Sequence, residues 1–502
     1  MDKMRGCVKK TCAALSAFVK EHKNIIRNGA ANLALLILAY GGLLRRSFVT
    51  DTVGHMMMEK IDGLYRMEEG RYLSGLCDFL LTQLGRRTTD HTGVTVFLGL
   101  LLMAAAIGLI QEMFRSHMAI QGSLEEAAYV ALTSLVFINV LAVELLMFGE
   151  MAHYFGAAFF FAAWGAYLFA NKRYVKAIIC IAISSMFYQT GIFFFAMLVS
   201  AHIFLENKKK ITKTGIIRQT IALLIMAGVG FANILSTRVC SMLFENFEAS
   251  RSVGGSIRDN LPTVVWHVYH MFRSSFLLPP LWLPLIFSGT MAVIFIWRML
   301  KEKNYHAIIY YLLLQLLLLI LIYPLSLIGS YASPPHRMVF TFYLVQACAG
   351  LIAFIHAKQM TRKMLCFVFM FYLFIQIFFV QIIVTQHFVS NSLDKLYANM
   401  VYAEIVAYEA ETGTAVTKLS VGRDRVNKAA YDEVSYANHN INERVMGMLN
   451  WSLVEMVSGR RFEHLLMDKE FQAEHFGDKD WDYINLSEQL IIEGDTAYWV
   501  IF

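Results

Sequence analysis

The chain has 502 residues, of which 57% are hydrophobic and only 16% charged, with a net charge of +6. Apolar runs of roughly 17–25 residues, the length that crosses a bilayer, recur along most of it. This excludes a water-soluble globular enzyme, and the lack of short alternating strands excludes a lipid-facing β-barrel. The seven cysteines show no CxxC or other ligand spacing, so neither a metal site nor a disulfide framework is expected.

Taken in chain order, a basic segment over 1–27 (Lys3, Arg5, Lys9, Lys10, Lys20, Lys23, Arg27) precedes the first apolar run. No small-residue cleavage pattern follows it, so the run is expected to stay as a first span. Candidate spans fall at 28–49, 95–110, 127–143, 151–170, 220–235, 281–297, 307–327, 338–356 and 364–385. Basic clusters at Asn171-Lys172-Arg173, Lys208-Lys209-Lys210, Arg298 with Lys301 and Lys303, and Lys358 with Arg362 and Lys363 read as cytoplasmic by the inside-positive pattern. These clusters serve topology, and nucleic-acid binding is not suggested. With the N-terminus inside, external loops are expected at about 50–94 and 236–280, and the C-terminus lies outside.

Residues 174–204 are apolar throughout, yet both flanks are basic. The expected solution is two short helices that enter and return, bent at Tyr188-Gln189-Thr190-Gly191, where polar groups line a protein cavity. This gives about eleven membrane segments in a polytopic α-helical membrane domain over 28–385. In the first external loop, Leu73, Leu76, Cys77, Leu80, Leu81 and Leu84 make one helical stripe. That helix is too short to span, so it is expected to lie in the interface plane. Residues 385–502 hold 19 of the 38 acidic residues and 10 of the 44 basic ones. A separate, soluble, acidic domain is therefore expected over 386–502, with helical spacing at 393–409 and 440–457 and strands at 416–421 and 496–502. It reads as a small α/β or α+β domain without a catalytic motif.

The expected topology gathers charged and polar side chains on the external membrane surface, where they are costly and mark a site. They are Asp51, Glu68, Glu69 and Arg71 in the first loop, Glu144, Glu150 and His153 at the next external turn, and Tyr188 and Gln189 at the bend. Arg258, His267, His270 and Arg273 come from the long loop, and His336 and Arg337 follow Pro334-Pro335. A transfer from a lipid phosphate needs a carboxylate to activate the acceptor hydroxyl and cations to hold the leaving phosphate. Asp51 is the preferred base, with Arg337 or Arg71 the preferred phosphate ligand. No nucleotide-binding glycine loop, HExxH or GxSxG is present. Nor is there a second broken hairpin of the kind an inverted-repeat transporter needs.

Three pieces carry a family resemblance: Asp51 followed by Gly70-Arg71-Tyr72-Leu73-Ser74, Glu150 with His153-Tyr154, and Tyr188-Gln189 inside an apolar hairpin. Over roughly 30–205 the chain resembles the GtrII-like bacterial membrane glucosyltransferases of the GT-C superfamily. The resemblance implies inverting transfer of glucose from a polyprenyl-phosphate donor to a cell-surface glycan, outside the bacterial cytoplasmic membrane. It also implies a catalytic acid in the first external loop. The family often shows paired acids there, whereas Thr52 follows Asp51 here, so the base stays open among Asp51, Glu68, Glu69 and Glu150. Arg71, His153, Tyr188, Gln189, Arg273 and Arg337 are the expected substrate-binding residues. No cofactor is evident, and no ligand set for a divalent metal is legible. A polysaccharide polymerase or ligase, or a lipid-linked glycan transporter, is the alternative reading.

Overall fold

Helix is the state most of the chain adopts, because a segment in hydrocarbon must satisfy its own backbone. The computed structural model describes residues 23–57, 63–207, 210–244, 247, 256–273, 282–329, 334–423, 430–435, 441–477, 481 and 483–501. The helices run α1 (Lys23–Tyr40), α2 (Thr50–Met57), α3 (Leu64–Glu68), α4 (Tyr72–Gln83), α5 (Thr92–Arg115), α6 (Ser123–Ser134), α7 (Val143–Met147) and α8 (Ala152–Ala170). They continue as α9 (Tyr174–Phe187), α10 (Thr190–Glu206), α11 (Lys213–Leu243), α12 (Ile257–Arg273), α13 (Trp282–Lys301) and α14 (Tyr305–Ile320). After these come α15 (Pro324–Ile328), α16 (His336–Val339), α17 (Phe342–His356) and the long α18 (Gln359–Thr412).

Among the described residues, five helical stretches are long and apolar enough to cross a membrane: Thr88–Arg115, Lys213–Leu243, Leu283–Lys301, His336–His356 and Gln359–Thr412. Shorter apolar helices cover Tyr174–Phe187, Thr190–Glu206 and Tyr305–Ile320. Helix α8 is the hub, packed on α5, α9 and α10. Its small residues permit this: a side chain at Gly99 of α5 would strike the Ala152 backbone, and one at Gly156 would strike that of Gly99. Without a hydrophobic drive between helices in lipid, such close backbone approach is what holds them.

The expected break in 174–204 is present, with Tyr188 extended (φ −160°, ψ 123°) between α9 and α10. The expected continuous span at 127–143 is not. Its helix stops at Ser134, and Asn139 explains why. The Asn139 Nδ2 donates to the carbonyls of Leu135 and Val136, and its Oδ1 accepts from the Leu141 and Ala142 amides. The Tyr40 hydroxyl donates to the Phe137 carbonyl. A buried amide that satisfies four backbone groups makes non-helical chain tolerable at that depth.

Helix α4 inverts the usual amphipathic pattern. Leu76, Phe79, Leu80 and Leu84 are exposed, while Ser74, Gly75 and Asp78 are buried. An apolar stripe turned outward from the protein suits a helix lying on a membrane, not one packed into a soluble core.

Past α18 come β1 (Lys418–Arg423), α19 (Met446–Ser458), β2 (Glu463–Leu466), α20 (Lys469–His475), α21 (Leu486–Gln489), β3 (Leu490–Glu493) and β4 (Thr496–Ile501). The sheet order is β2-β1-β4-β3. Strand β1 runs parallel to β2 and β4, and β3 is antiparallel to β4. A second apolar core, centred on Trp499, Leu419 and Leu453, holds this domain together. The last turns of α18 (Tyr397, Ala398, Val401, Ile405) belong to that core, so one helix serves both the membrane bundle and the domain.

Candidate active site

The site is built where the first loop, the α7–α8 turn, the α9–α10 break and the start of α16 meet, at the end of the bundle that faces the C-terminal domain. Of the basic clusters expected to be cytoplasmic, Lys172 and Arg173 follow the end of α8 remote from the α7–α8 turn. Arg362, at the far end of α18, pairs with Glu125 and donates to the Ala119 carbonyl.

Asp51 sits in the first turn of α2 with its carboxylate open to solvent in a recess. Crowding by protein raises its pKa above the ordinary carboxylate value; the Arg337 charge opposes this, and Glu150 and Glu69 add to it. These residues are far apart in sequence, yet the recess brings Asp51, Glu69, Glu150 and Arg337 into one electrostatic neighbourhood. Arg337 is fixed by Glu144, which is fully buried. One Glu144 oxygen accepts from the Arg337 guanidinium and the other from its backbone amide at 2.7 Å. The guanidinium also lies 4.8 Å from the Phe148 ring centroid, and it feels Tyr188 as well as Asp51.

Glu150 stands behind Asp51 and does not reach the recess surface. It is completely buried, accepts from the Thr52 hydroxyl at 2.8 Å, and lies 3.6 Å from His55 Nδ1. Burial pushes its pKa up, but His55, Arg66 and Thr52 outweigh that and hold it ionised. It thus clamps the helix that carries Asp51.

The Gly70-Arg71 pair forms the other wall. Arg71 pairs with Glu69 at 2.8 Å and its guanidinium covers the Tyr188 ring at 5.2 Å. Gln189 donates to the Glu69 carbonyl, and Asn233 of α11 donates to the Gly70 carbonyl at 2.9 Å. Glycine is required at position 70. Its φ is +76°, and a side chain would strike Asn233, Gln189 and Thr237. Glu68 ends α3 half-buried, beside this wall. His153, in the first turn of α8, lies against Tyr154 with ring centroids 3.8 Å apart and the planes tilted by 38°.

The remaining expected residues lie elsewhere. His267 is buried against the Tyr323 hydroxyl at 3.2 Å, and Arg258 is exposed on α12. Arg273 ends α12; its side chain and that of His270 lie outside the described residues. Among the described residues no three His, Cys, Asp or Glu are placed to hold a metal ion.

Sequence reasoning missed a buried ion pair. Arg66 of α3 and Asp78 of α4 bond to each other, both almost inaccessible, and the Tyr154 hydroxyl donates to Asp78 at 2.7 Å. The pair joins α3 to α4, and the Tyr154 bond ties both to α8. Ser74 and Asp78, one turn apart on the face opposite the leucines, were the available signal.

From the Gly70-Arg71 wall an open groove of about 730 Å³ runs between α9 and α11. Ile178, Met186, Leu224 and Gly228 line its apolar length, with Tyr72 and Asn233 at one end. The Tyr72 hydroxyl is hydrogen-bonded to Ser236 and Thr237.

Fold and site together define a helical membrane protein with a charged recess at one end of its bundle. The family model of the glucosyl transferase GtrII matches residues 42–354, more than half of the chain, and the chain belongs to that family. It is a membrane glucosyltransferase, with a sugar donor and a glycan acceptor. Comparison with curated proteins and with solved structures finds no match. The matched region contains the whole recess and stops before α18 and the C-terminal domain.

Proposed function

We propose that the protein transfers glucose from a polyprenyl-phosphate donor to a cell-surface glycan, with inversion, at the extracytoplasmic face of a bacterial cytoplasmic membrane. The observation that carries this reading is the accessible Asp51 carboxylate held in one recess with the Arg337 charge. Asp51 takes the proton from an acceptor hydroxyl as its oxygen attacks the anomeric carbon. The bond from that carbon to the phosphate oxygen breaks on the opposite face, and polyprenyl phosphate leaves. Arg337 and Arg71 hold the charge that grows on the leaving phosphate. The raised pKa of Asp51 suits a base, because a stronger proton acceptor is a better general base while it stays ionised.

Other features support the same reading. The groove between α9 and α11 ends beside Arg71, and its apolar length matches a prenyl chain whose phosphate must sit at a polar end. The outward leucines of α4 support a position of that wall at the membrane surface. The basic clusters of the sequence, read by the inside-positive pattern, support an external site.

Asp51→Asn in the purified full-length protein, assayed with radiolabelled polyprenyl-phosphate glucose and acceptor glycan, is expected to lower kcat by roughly 10²–10⁴-fold. Membrane insertion and thermal unfolding should be unchanged. A variant that retains activity would rule Asp51 out as the base.

A further inference from the structure

We propose that the C-terminal domain belongs to the catalytic apparatus and sets the spacing between Asp51 and Arg337, with Asn391 and Phe48 as positioning residues. The proposal rests on the roles given above to Asp51 and Arg337, and it concerns a region beyond the family match.

The chain around Asp51 is built into the domain as well as the bundle, to whose core Val49 belongs. Phe48 and Val53, three residues before and two after Asp51, are fully buried in the domain's apolar core. The Asn391 side chain of α18 pairs with both backbone polar groups of Phe48. The Phe48 amide donates to Asn391 Oδ1 at 2.9 Å, and Asn391 Nδ2 donates to the Phe48 carbonyl at 2.9 Å. Lys395, one turn further on, covers the Phe48 ring at 4.9 Å. Helix α19 packs along α2, and Leu449 sits against Gly54.

The same domain also reaches the arginine side of the recess. The loop before α19 carries Glu443, which lies within electrostatic reach of Glu144, the carboxylate that fixes Arg337. The loop is held firmly: the Val445 amide and the Tyr431 hydroxyl donate to Asp394 at 2.8 and 2.6 Å, and the Ser390 hydroxyl donates to the Glu443 carbonyl at 3.4 Å. Asn442, fully buried, takes the left-handed conformation (φ +60°) that lets the loop turn there. Burial, and then the Glu144 charge, push the Glu443 carboxyl up to about 8. One body thus grips the helix of the base, while α18, whose last turns belong to that body, packs against α7, which carries Glu144, so the two sides of the recess are held by one framework.

The test is Asn391→Ala in the full-length protein, with Leu449→Ala as an independent second variant acting through a different contact. Both are assayed for kcat, donor KM and the pH dependence of kcat. The expected result is a fall in kcat of roughly 10–100-fold, the scale of a small misplacement of reacting groups, with donor KM within about threefold. The acid limb of the pH profile should also move toward the ordinary carboxylate range, because Asp51 loses its crowded setting. Wild-type kcat with an unmoved acid limb in both variants would overturn the proposal, and so would a loss that only follows the unfolded fraction. If Asp51→Asn is inactive while Asn391→Ala behaves as wild type, the domain inference alone fails. If Asp51→Asn is active, the assignment of the base fails first.

Discussion

The membrane recess and the C-terminal domain use polar residues in opposite ways. In the recess, carboxylates and guanidinium groups are few, stand against apolar surroundings, and nearly all have an assigned partner: Glu144 with Arg337, Glu69 with Arg71, Asp78 with Arg66, Glu150 with Thr52 and His55. Asp51 differs in standing open to solvent. In the domain, acidic residues are abundant and mostly at the surface. The polar residues proposed to act on the site, Asn391 and Glu443, are distinguished only by where the fold puts them. Charge in lipid is expensive enough to announce itself, whereas charge in a water-soluble domain is not.

Breaking the pairs in the recess tests the first half of that contrast. Asp78→Ala removes the carboxylate bonded to the buried Arg66 guanidinium, and an uncompensated buried charge costs about 3–5 kcal/mol. Thermal unfolding in detergent should show a marked loss of stability, and a variant as stable as the parent would show that the pair is not holding α3 to α4. Arg337→Gln removes a proposed phosphate ligand, so kcat should fall by roughly 10²–10³-fold. Pairing it with Glu144→Gln keeps the buried partner from being left charged. If the double variant regains activity, Arg337 serves folding rather than the leaving group.

The smallest effect sharpens the second half. The Glu443 carboxyl is raised to about 8, so the folded state favours its neutral form. The corresponding stability is complete below the ordinary carboxylate pKa and is lost as pH rises through about 8. Glu443→Gln, which cannot ionise, should match the parent in melting temperature at pH 4 and exceed it by a few degrees at pH 9. Parallel melting curves at both values would show that Glu443 does not meet Glu144 in a crowded setting.

How much of this was legible in the sequence follows from the same physics. The helical class, the break at Tyr188-Gln189 and the outward helix after Gly70-Arg71 were all visible, because lipid imposes length and polarity rules on every span. The convergence of Asp51, Arg71, Gln189 and Arg337 was visible only through topology, since residues nearly 290 positions apart share no local pattern. The end of α6 at Ser134 was missed because a hydropathy run does not reveal that Asn139 is bonded to its own backbone. The role of Glu150 shifted for a similar reason: spacing puts an acid at that turn, but only packing decides that it faces inward. Arg66 and Asp78 were missed because the leucine stripe drew the eye to the wrong face of α4. The bond between Asn391 and Phe48 links positions 343 residues apart and leaves no trace in the local sequence.

Helix α18 runs for 54 residues without a glycine or proline, about 80 Å at 1.5 Å per residue. Sharp kinks in long helices arise at such residues or at inserted bulges, so this one offers no hinge. The domain therefore cannot swing away like a lid to admit substrate. A change in the tilt of that rod, as when the bilayer thickens or thins, would instead be levered directly onto the recess, making turnover sensitive to the lipid in which the enzyme sits.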